Sequence, residues 1–100
     1  MNARSNKRGL AELTRRTVAG EVEWRFVEPN SFSLADADRE IYLAPTITGL
    51  LLGVRHRNRE LITPSMYGDI LHPEELRSLI QLYQAILTKL RAGLYARLGQ

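Results

Sequence analysis

The sequence predicts an α+β domain in which an antiparallel sheet of three or four strands packs against one long C-terminal amphipathic helix. Residues 21–28 alternate between apolar and charged side chains, which is the period of a half-buried strand. Residues 73–98 instead repeat apolar side chains at the spacing of one helix face. One hundred residues, 44% hydrophobic and 25% charged, have the size and composition of one folded domain.

The N-terminal segment is polar and basic and has no apolar period. It predicts a flexible basic tail over residues 1–9, ahead of a single domain over residues 10–100. From Leu10 to Val18 the apolar spacing suits a short helix, whereas Ala19-Gly20 equally suits a tight turn into a strand. The sequence leaves these two alternatives open.

Prolines divide the central part of the chain into short segments. Pro29, Pro45 and Pro64 each follow a run with strand character. Residues 29–39 are rich in Asn, Ser and Asp and predict a loop with at most one helical turn. Asn58-Arg59 predicts a hairpin turn. The predicted strands are residues 21–28, 40–44, 47–57 and 60–63.

The C-terminal helix is predicted to begin at Pro73, where the missing amide of proline costs no hydrogen bond. His72 then takes the N-cap position. Leu71 and Leu76 have the spacing of a hydrophobic staple, in which the residue before the cap packs on the fourth helical residue. The sequence therefore fixes the start of this helix better than any other boundary.

The length of this helix predicts an overhang. A helix over residues 73–98 is about 39 Å long at about 1.5 Å per residue, whereas a domain of this size has a radius of gyration of only about 13 Å. The last turns, near Gly93, are expected to extend beyond the sheet. Two copies of the chain that pair through these turns would form a homodimer. The sequence leaves the homodimer and the monomer as alternatives.

Three arginines, Arg55, Arg57 and Arg59, occupy every second position after an apolar segment. On a strand they share one face, although Arg59 leaves that face if Asn58-Arg59 is the turn. The planar guanidinium group binds phosphate through two hydrogen bonds, and residues 1–20 add five more basic side chains. The predicted residues for binding nucleic acid or another partner are Arg55, Arg57, Arg59, Arg4, Lys7, Arg8, Arg15 and Arg16.

A competing interpretation is that the arginines form ion pairs across the sheet with Glu21, Glu23 or Glu60, in which case they are a solvated face of little energetic weight. The exposure of the aromatic side chains distinguishes a nucleic-acid surface from a solvated face, because an exposed ring stacks on a nucleic-acid base. The aromatic residues considered for that role are Trp24, Tyr42, Tyr67 and Tyr95.

No pattern in the sequence predicts catalysis, a cofactor or a metal. The chain has no cysteine, and His56 and His72 form no recognised zinc spacing. Asp36, Asp38 and Glu40 alternate, but the glycine and final glutamate of a calcium loop are missing. We therefore expect no enzyme, no catalytic residue, no cofactor and no metal site.

The residues thus predict a small cytoplasmic binding protein that acts through its basic sheet surface on nucleic acid or a nucleoprotein complex. The alternative is a protein-protein inhibitor or adaptor that occludes its target, of the type that mobile genetic elements encode, for example an anti-defence protein. Its predicted anchors are Met66 and Tyr67, in a segment over residues 63–68 that predicts an irregular loop. No apolar run approaches the ~20 residues that cross a bilayer, so no membrane contact is expected.

Overall fold

A computed structural model describes residues 3–27, 29–36 and 38–99. Five antiparallel strands form one sheet in sequence order, and a helix lies at each end of the chain. The fold class is therefore α+β as predicted, with five strands in place of three or four. The elements are α1 (Ala3–Val18), β1 (Arg25–Val27), β2 (Ser31–Asp36), β3 (Arg39–Pro45), β4 (Gly49–His56), β5 (Thr63–Asp69) and α2 (Pro73–Leu98).

The N-terminal alternatives are settled in favour of a helix. α1 begins at Ala3, so part of the predicted tail has helical backbone, and the flexibility of residues 1–9 stays a prediction. Gly20 ends α1 with a positive φ of 77°. Its amide donates to the Thr17 carbonyl at 3.1 Å, and the Glu21 amide donates to the Arg16 carbonyl at 2.9 Å. This pair of bonds is the Schellman arrangement, for which glycine is the favoured residue.

A buried hydrogen-bond chain ties α1 to the segment that leads into β1. The indole Nε1 of Trp24 donates to Thr17 Oγ1 at 3.0 Å, and Thr17 Oγ1 donates to the Leu13 carbonyl at 2.8 Å. Trp24 is 5% exposed, whereas Phe26 is 57% exposed. The strand predicted over residues 21–28 is therefore too long, because Trp24 turns into the core before the sheet begins.

The loop predicted over residues 29–39 is wrong. β2 occupies most of it, pairing with β1 on one side and β3 on the other. Phe32 and Leu34 are buried in the core, while the serines and aspartates around them supplied the composition of a loop. Two apolar residues at alternate positions were enough to make a strand with one buried face.

β3 and β4 confirm the strands predicted on either side of Pro45, whereas the turn predicted at Asn58-Arg59 lies one residue earlier in the chain. The Arg59 amide donates to the His56 carbonyl at 2.9 Å, which places Arg57 and Asn58 at the centre of a tight turn. The strand predicted over residues 60–63 is displaced, because β5 begins only at Thr63 and runs on past Pro64 to Asp69. Proline is tolerated there because β5 is an edge strand. The irregular loop predicted over residues 63–68 is therefore wrong.

Both helices contribute to one core on a single face of the sheet. α2 packs on β4 and β5 and against α1. It approaches β5 most closely at Gly68, where a Cβ would lie 2.5 Å from the backbone of Leu76. Neither helix, in the part of the chain described, is long and apolar enough to cross a membrane. The buried core consists of Leu10, Leu13, Trp24, Phe32, Leu34, Ile41, Leu43, Leu50, Leu52, Met66, Leu79, Leu82 and Ile86.

The start of α2 is confirmed at Pro73. The Leu76 amide donates to the His72 carbonyl at 3.0 Å, as expected of an N-cap residue. The predicted hydrophobic staple is wrong, because Leu71 is 82% exposed and points away from the core that Leu76 joins.

Candidate functional site

The strands present a second face that points away from both helices, which we call the open face. Cross-strand register places its side chains in two adjoining rows. One row contains Ala35, Glu40 and Arg55, and the next contains Ser33, Tyr42 and Gly53. Leu51 and Tyr67 lie beside each other further along β4 and β5.

A three-residue polar cluster occupies the centre of the open face. The Tyr42 hydroxyl donates to Glu40 Oε2 at 2.6 Å, and Arg55 Nη2 donates to Glu40 Oε1 at 2.6 Å. The Arg55 guanidinium also lies over the Tyr42 ring, 5.6 Å from its centroid. The hydrogen bond from Tyr42, followed by that from Arg55, lowers the pKa of Glu40, and the Glu40 carboxylate raises the pKa of Tyr42.

This cluster bears directly on the competing interpretation of the arginines. For Arg55 the expectation of a cross-strand ion pair is confirmed, but the partner is Glu40 and none of the three glutamates considered. The pair neutralises the charge of Arg55, and both side chains remain more than a third exposed. Arg55 therefore belongs to the structure of the open face more than to a surface that attracts anions.

Further arginines lie at one end of the sheet, in a cleft of about 500 Å³ between the β2–β3 and β4–β5 turns. A hydrogen bond from the Arg57 amide to the Asp38 carbonyl, 2.8 Å long, joins the two turns. We call this feature the arginine cleft. Its charged and titratable lining residues are Arg39, Arg55, Arg57, Arg59, Asp38, Glu40, Glu60 and His56.

Arg57 and Arg59 differ from Arg55 in their contacts. Both residues are exposed, and neither side chain forms a hydrogen bond or ion pair within the part of the chain that the structure describes. β4 ends at His56, so the predicted file of three arginines on one strand face contains only Arg55. Arg57 and Arg59 are instead brought to the same cleft by the turn.

None of the basic residues of α1 whose side chains the structure describes lines this cleft. Arg15 is paired with Glu12 at 2.7 Å and with Glu21 at 3.1 Å. Arg16 lines a separate cleft on the other side of β2, and Arg8 is exposed on α1. The side chains of Arg4 and Lys7 lie outside the described part of the structure.

The two predicted interface anchors have opposite environments. Met66 is 8% exposed and belongs to the core, which removes the exposure on which its prediction rested. Tyr67, the next residue along β5, is 39% exposed on the open face. Its hydroxyl lies 2.7 Å from Thr48 Oγ1, and its ring makes an edge contact with the ring of His72.

Three aliphatic side chains that the sequence did not mark as a contact surface lie at the opposite end of the sheet from the arginine cleft. Ile47 is 103% exposed at the tip of the β3–β4 hairpin, and Ile70 and Leu71 are 80% and 82% exposed between β5 and α2. We call this group the apolar end. No local sequence feature revealed this exposure, because Ile47 began the predicted strand over residues 47–57 and Leu71 belonged to the predicted staple.

Near the apolar end, Asp69 accepts two hydrogen bonds at the start of α2. Its Oδ1 lies 2.9 Å from His72 Nδ1 and accepts the Leu71 amide at 2.9 Å. The contact with His72 is the main cause of a lowered pKa for Asp69. Within the described ranges, no group of three His, Asp or Glu side chains is placed to hold a metal ion.

No family model, curated protein or solved structure matches the chain. A function for this protein must therefore be inferred from its own contacts, charges and exposed side chains.

Proposed function

We propose that this protein binds nucleic acid, alone or in a nucleoprotein complex, through the arginine cleft, and that it does so without catalysing a reaction. The observation that carries the proposal is the state of Arg57 and Arg59. Their guanidinium groups are exposed and unpaired among the described residues, beside a cleft in which Arg55 is already neutralised by Glu40. Guanidinium groups bind phosphate oxygens through two parallel hydrogen bonds.

The turn supports the proposal by holding these two arginines together. The backbone amide of Arg59 donates a hydrogen bond to the His56 carbonyl, and the backbone amide of Arg57 donates one to the Asp38 carbonyl. These hydrogen bonds fix the backbone of both arginines, so ligand binding restricts only their side chains. Asp38 and Glu60 also line the cleft and reduce its potential. The geometry therefore suits contact with a few phosphates more than a strong general attraction for polyanions.

The test is fluorescence anisotropy with labelled single-stranded DNA, duplex DNA and RNA at about 50 and about 200 mM salt. Two phosphate contacts predict an affinity loss of about 7- to 12-fold between these salt concentrations, because each contact releases condensed counterions. The Arg57→Ala/Arg59→Ala variant should bind weakly and show little salt dependence.

The matched control is Arg77→Ala/Arg91→Ala, which removes the same charge from two exposed positions on α2. This control should bind like the unchanged protein. Equal losses in the two double variants would show that only net charge matters and would contradict a site at the cleft. Absence of binding to every probe at the lower salt would contradict the proposal altogether.

A second candidate function, that of a protein-protein inhibitor or adaptor, is favoured by the apolar end. Ile47, Ile70 and Leu71 are each at least 80% exposed, and aliphatic groups at that exposure are typical of contact surfaces when they cluster. A partner protein captured at about 200 mM salt should be lost with Ile47→Asp/Leu71→Asp and retained with Arg57→Ala/Arg59→Ala. The opposite pattern would favour the nucleic-acid proposal.

The amphipathic character of α2 and the homodimer contact through it stay predictions. Leu94 and Leu98 are 53% and 72% exposed, consistent with the expected overhang of the last helical turns. Every described side chain after Leu90 is exposed. These residues form the surface that such a dimer would use.

A further inference from the structure

Tyr67 presents an aromatic ring that is both exposed and held in place. Its hydroxyl is bonded to Thr48 in the neighbouring hairpin at 2.7 Å, and its ring centroid lies 6.5 Å from that of His72 at an interplanar angle of 72°. The side chain nevertheless remains 39% exposed on the open face. A ring that is already oriented loses little conformational entropy when another flat group stacks on it.

The other aromatic residues near the open face do not present a ring that is both exposed and held in place. The Tyr42 ring is covered by the Arg55 guanidinium, and its hydroxyl is bonded to Glu40. Trp24 is buried. Phe26 is exposed, but its cross-strand partner is a core residue, so it lies on the face that carries the helices. Among the described side chains of the open face, Tyr67 is therefore the stacking platform.

β4 connects this ring to the arginine cleft. Leu51 pairs with Tyr67 in the sheet, and β4 then runs to His56, where the arginine turn begins. The five residue steps from Leu51 to His56 span about 17 Å. Between them the open face carries Gly53, which is covered by the side chain of Ile62, and then Arg55, which is paired with Glu40. About five stacked nucleotides, at about 3.4 Å each, cover that distance.

We infer that the ligand is single-stranded nucleic acid, with phosphates at Arg57 and Arg59 and one base stacked on Tyr67. The inference rests on the proposed function at the arginine cleft and adds the class of nucleic acid to it. In a duplex, each base is covered above and below by its neighbours, so only an unpaired base reaches an aromatic ring. DNA and RNA share this chemistry, and the site recognises the phosphate and the exposed base that both supply.

The experiment compares four labelled probes at about 50 mM salt: a ten-nucleotide thymine DNA strand, the uracil RNA equivalent, a ten-base-pair duplex, and a ten-phosphate abasic strand. The abasic strand keeps every phosphate and removes every base. For the unchanged protein we expect binding to the thymine strand about tenfold tighter than to the abasic strand, which is the effect of one stack. The duplex should bind no better than the abasic strand.

The variant Tyr67→Leu should bind the thymine strand as weakly as the abasic strand, with its affinity for the abasic strand unchanged. Tyr67→Phe keeps the ring while losing the bond to Thr48, and it should bind the thymine strand nearly as well as tyrosine does. Thermal unfolding shows whether Tyr67→Leu is folded. If it is not, the preference of the unchanged protein for bases over the abasic strand still decides the matter.

Two different failures are distinguishable. Equal affinity for the thymine and abasic strands, or tighter binding of the duplex, overturns the single-strand inference while leaving the arginine cleft as a phosphate site. Equal losses with Tyr67→Leu on both single strands also overturn it. If no probe binds, the proposed function fails and the inference fails with it.

Discussion

The two faces of the sheet are made by alternate residues of the same strands, yet they differ in almost every physical respect. Leu43 on β3 is completely buried under the helices, while its neighbour Tyr42 is partly exposed and bonded to Glu40. On β4, Leu52 is 7% exposed, whereas Leu51 is only partly buried. Hydrophobic burial, which dominates folding, is concentrated on the covered face. The open face and its turns are therefore the part of the molecule that binding residues can occupy at small cost to stability.

The largest test of this comparison is a pair of leucine truncations. Leu43→Ala leaves a cavity in the covered face and should lower the free energy of unfolding by about 2–5 kcal/mol. Leu51→Ala removes a partly exposed side chain and should lower it by about 1 kcal/mol. Urea unfolding measures both. Equal losses would mean that the open face is covered in solution, and the covering would then be visible as self-association by light scattering.

A pair of glycines sharpens the comparison at the contact between helix and sheet. In Gly68→Ala the new methyl group lies against the Leu76 backbone, 2.5 Å away, so α2 must move. We expect a loss of about 1–3 kcal/mol, as for other overpacked sites. In Gly93→Ala nothing lies within 4 Å of the new atom, and the same substitution should stabilise the exposed helix by about 0.5–1 kcal/mol.

Opposite signs in thermal unfolding of the two glycine variants are the expected result. A neutral Gly68→Ala would show that α2 does not approach β5 as closely as described. A destabilising Gly93→Ala would show that the end of α2 is packed against something, for which a second copy is the nearest candidate.

The fold was predictable where local patterns and tertiary packing agree. Runs with strand character on either side of Pro45 predicted β3 and β4, and the proline at residue 73 predicted the start of α2. β2 was missed because serine and aspartate are turn residues by composition, while only Phe32 and Leu34 carry the strand pattern. β5 was cut short at Pro64, because the sequence does not show that this strand lies at an edge, where a missing amide is tolerated.

The candidate site was predictable only in part. A turn near Arg57 and Arg59 followed from local sequence, although the observed turn is centred one residue earlier than predicted. The pairing of Arg55 with Glu40 did not, because it depends on the register of β3 against β4, which is set by the core on the other face. The apolar end likewise depends on where the β3–β4 hairpin and the β5–α2 connection meet. The basic residues near the turn could therefore be predicted from the sequence, whereas the ion pair that neutralises Arg55 depends on the alignment of the strands in the sheet.

The smallest expected effect concerns two carboxylates, Glu40 on the open face and Asp69 at the start of α2. Their hydrogen bonds hold both pKa values below the ordinary range, so the unfolded chain takes up protons at a higher pH than the folded protein does. Their contribution to stability is therefore complete above about pH 5 and is lost as the pH falls through about 4 and below.

Glu40→Gln and Asp69→Asn should each lower the melting temperature at neutral pH and flatten its fall in acid. Asp69→Asn should have the larger effect, since the Asp69 side chain is 13% exposed and that of Glu40 is 39% exposed. Glu12→Gln, which breaks an exposed pair on α1, is the control and should change the acid profile least. A melting temperature for the unchanged protein that is constant from pH 7 to about pH 3 would contradict both assignments, because it would mean that folding leaves the proton affinity of these carboxylates unaltered.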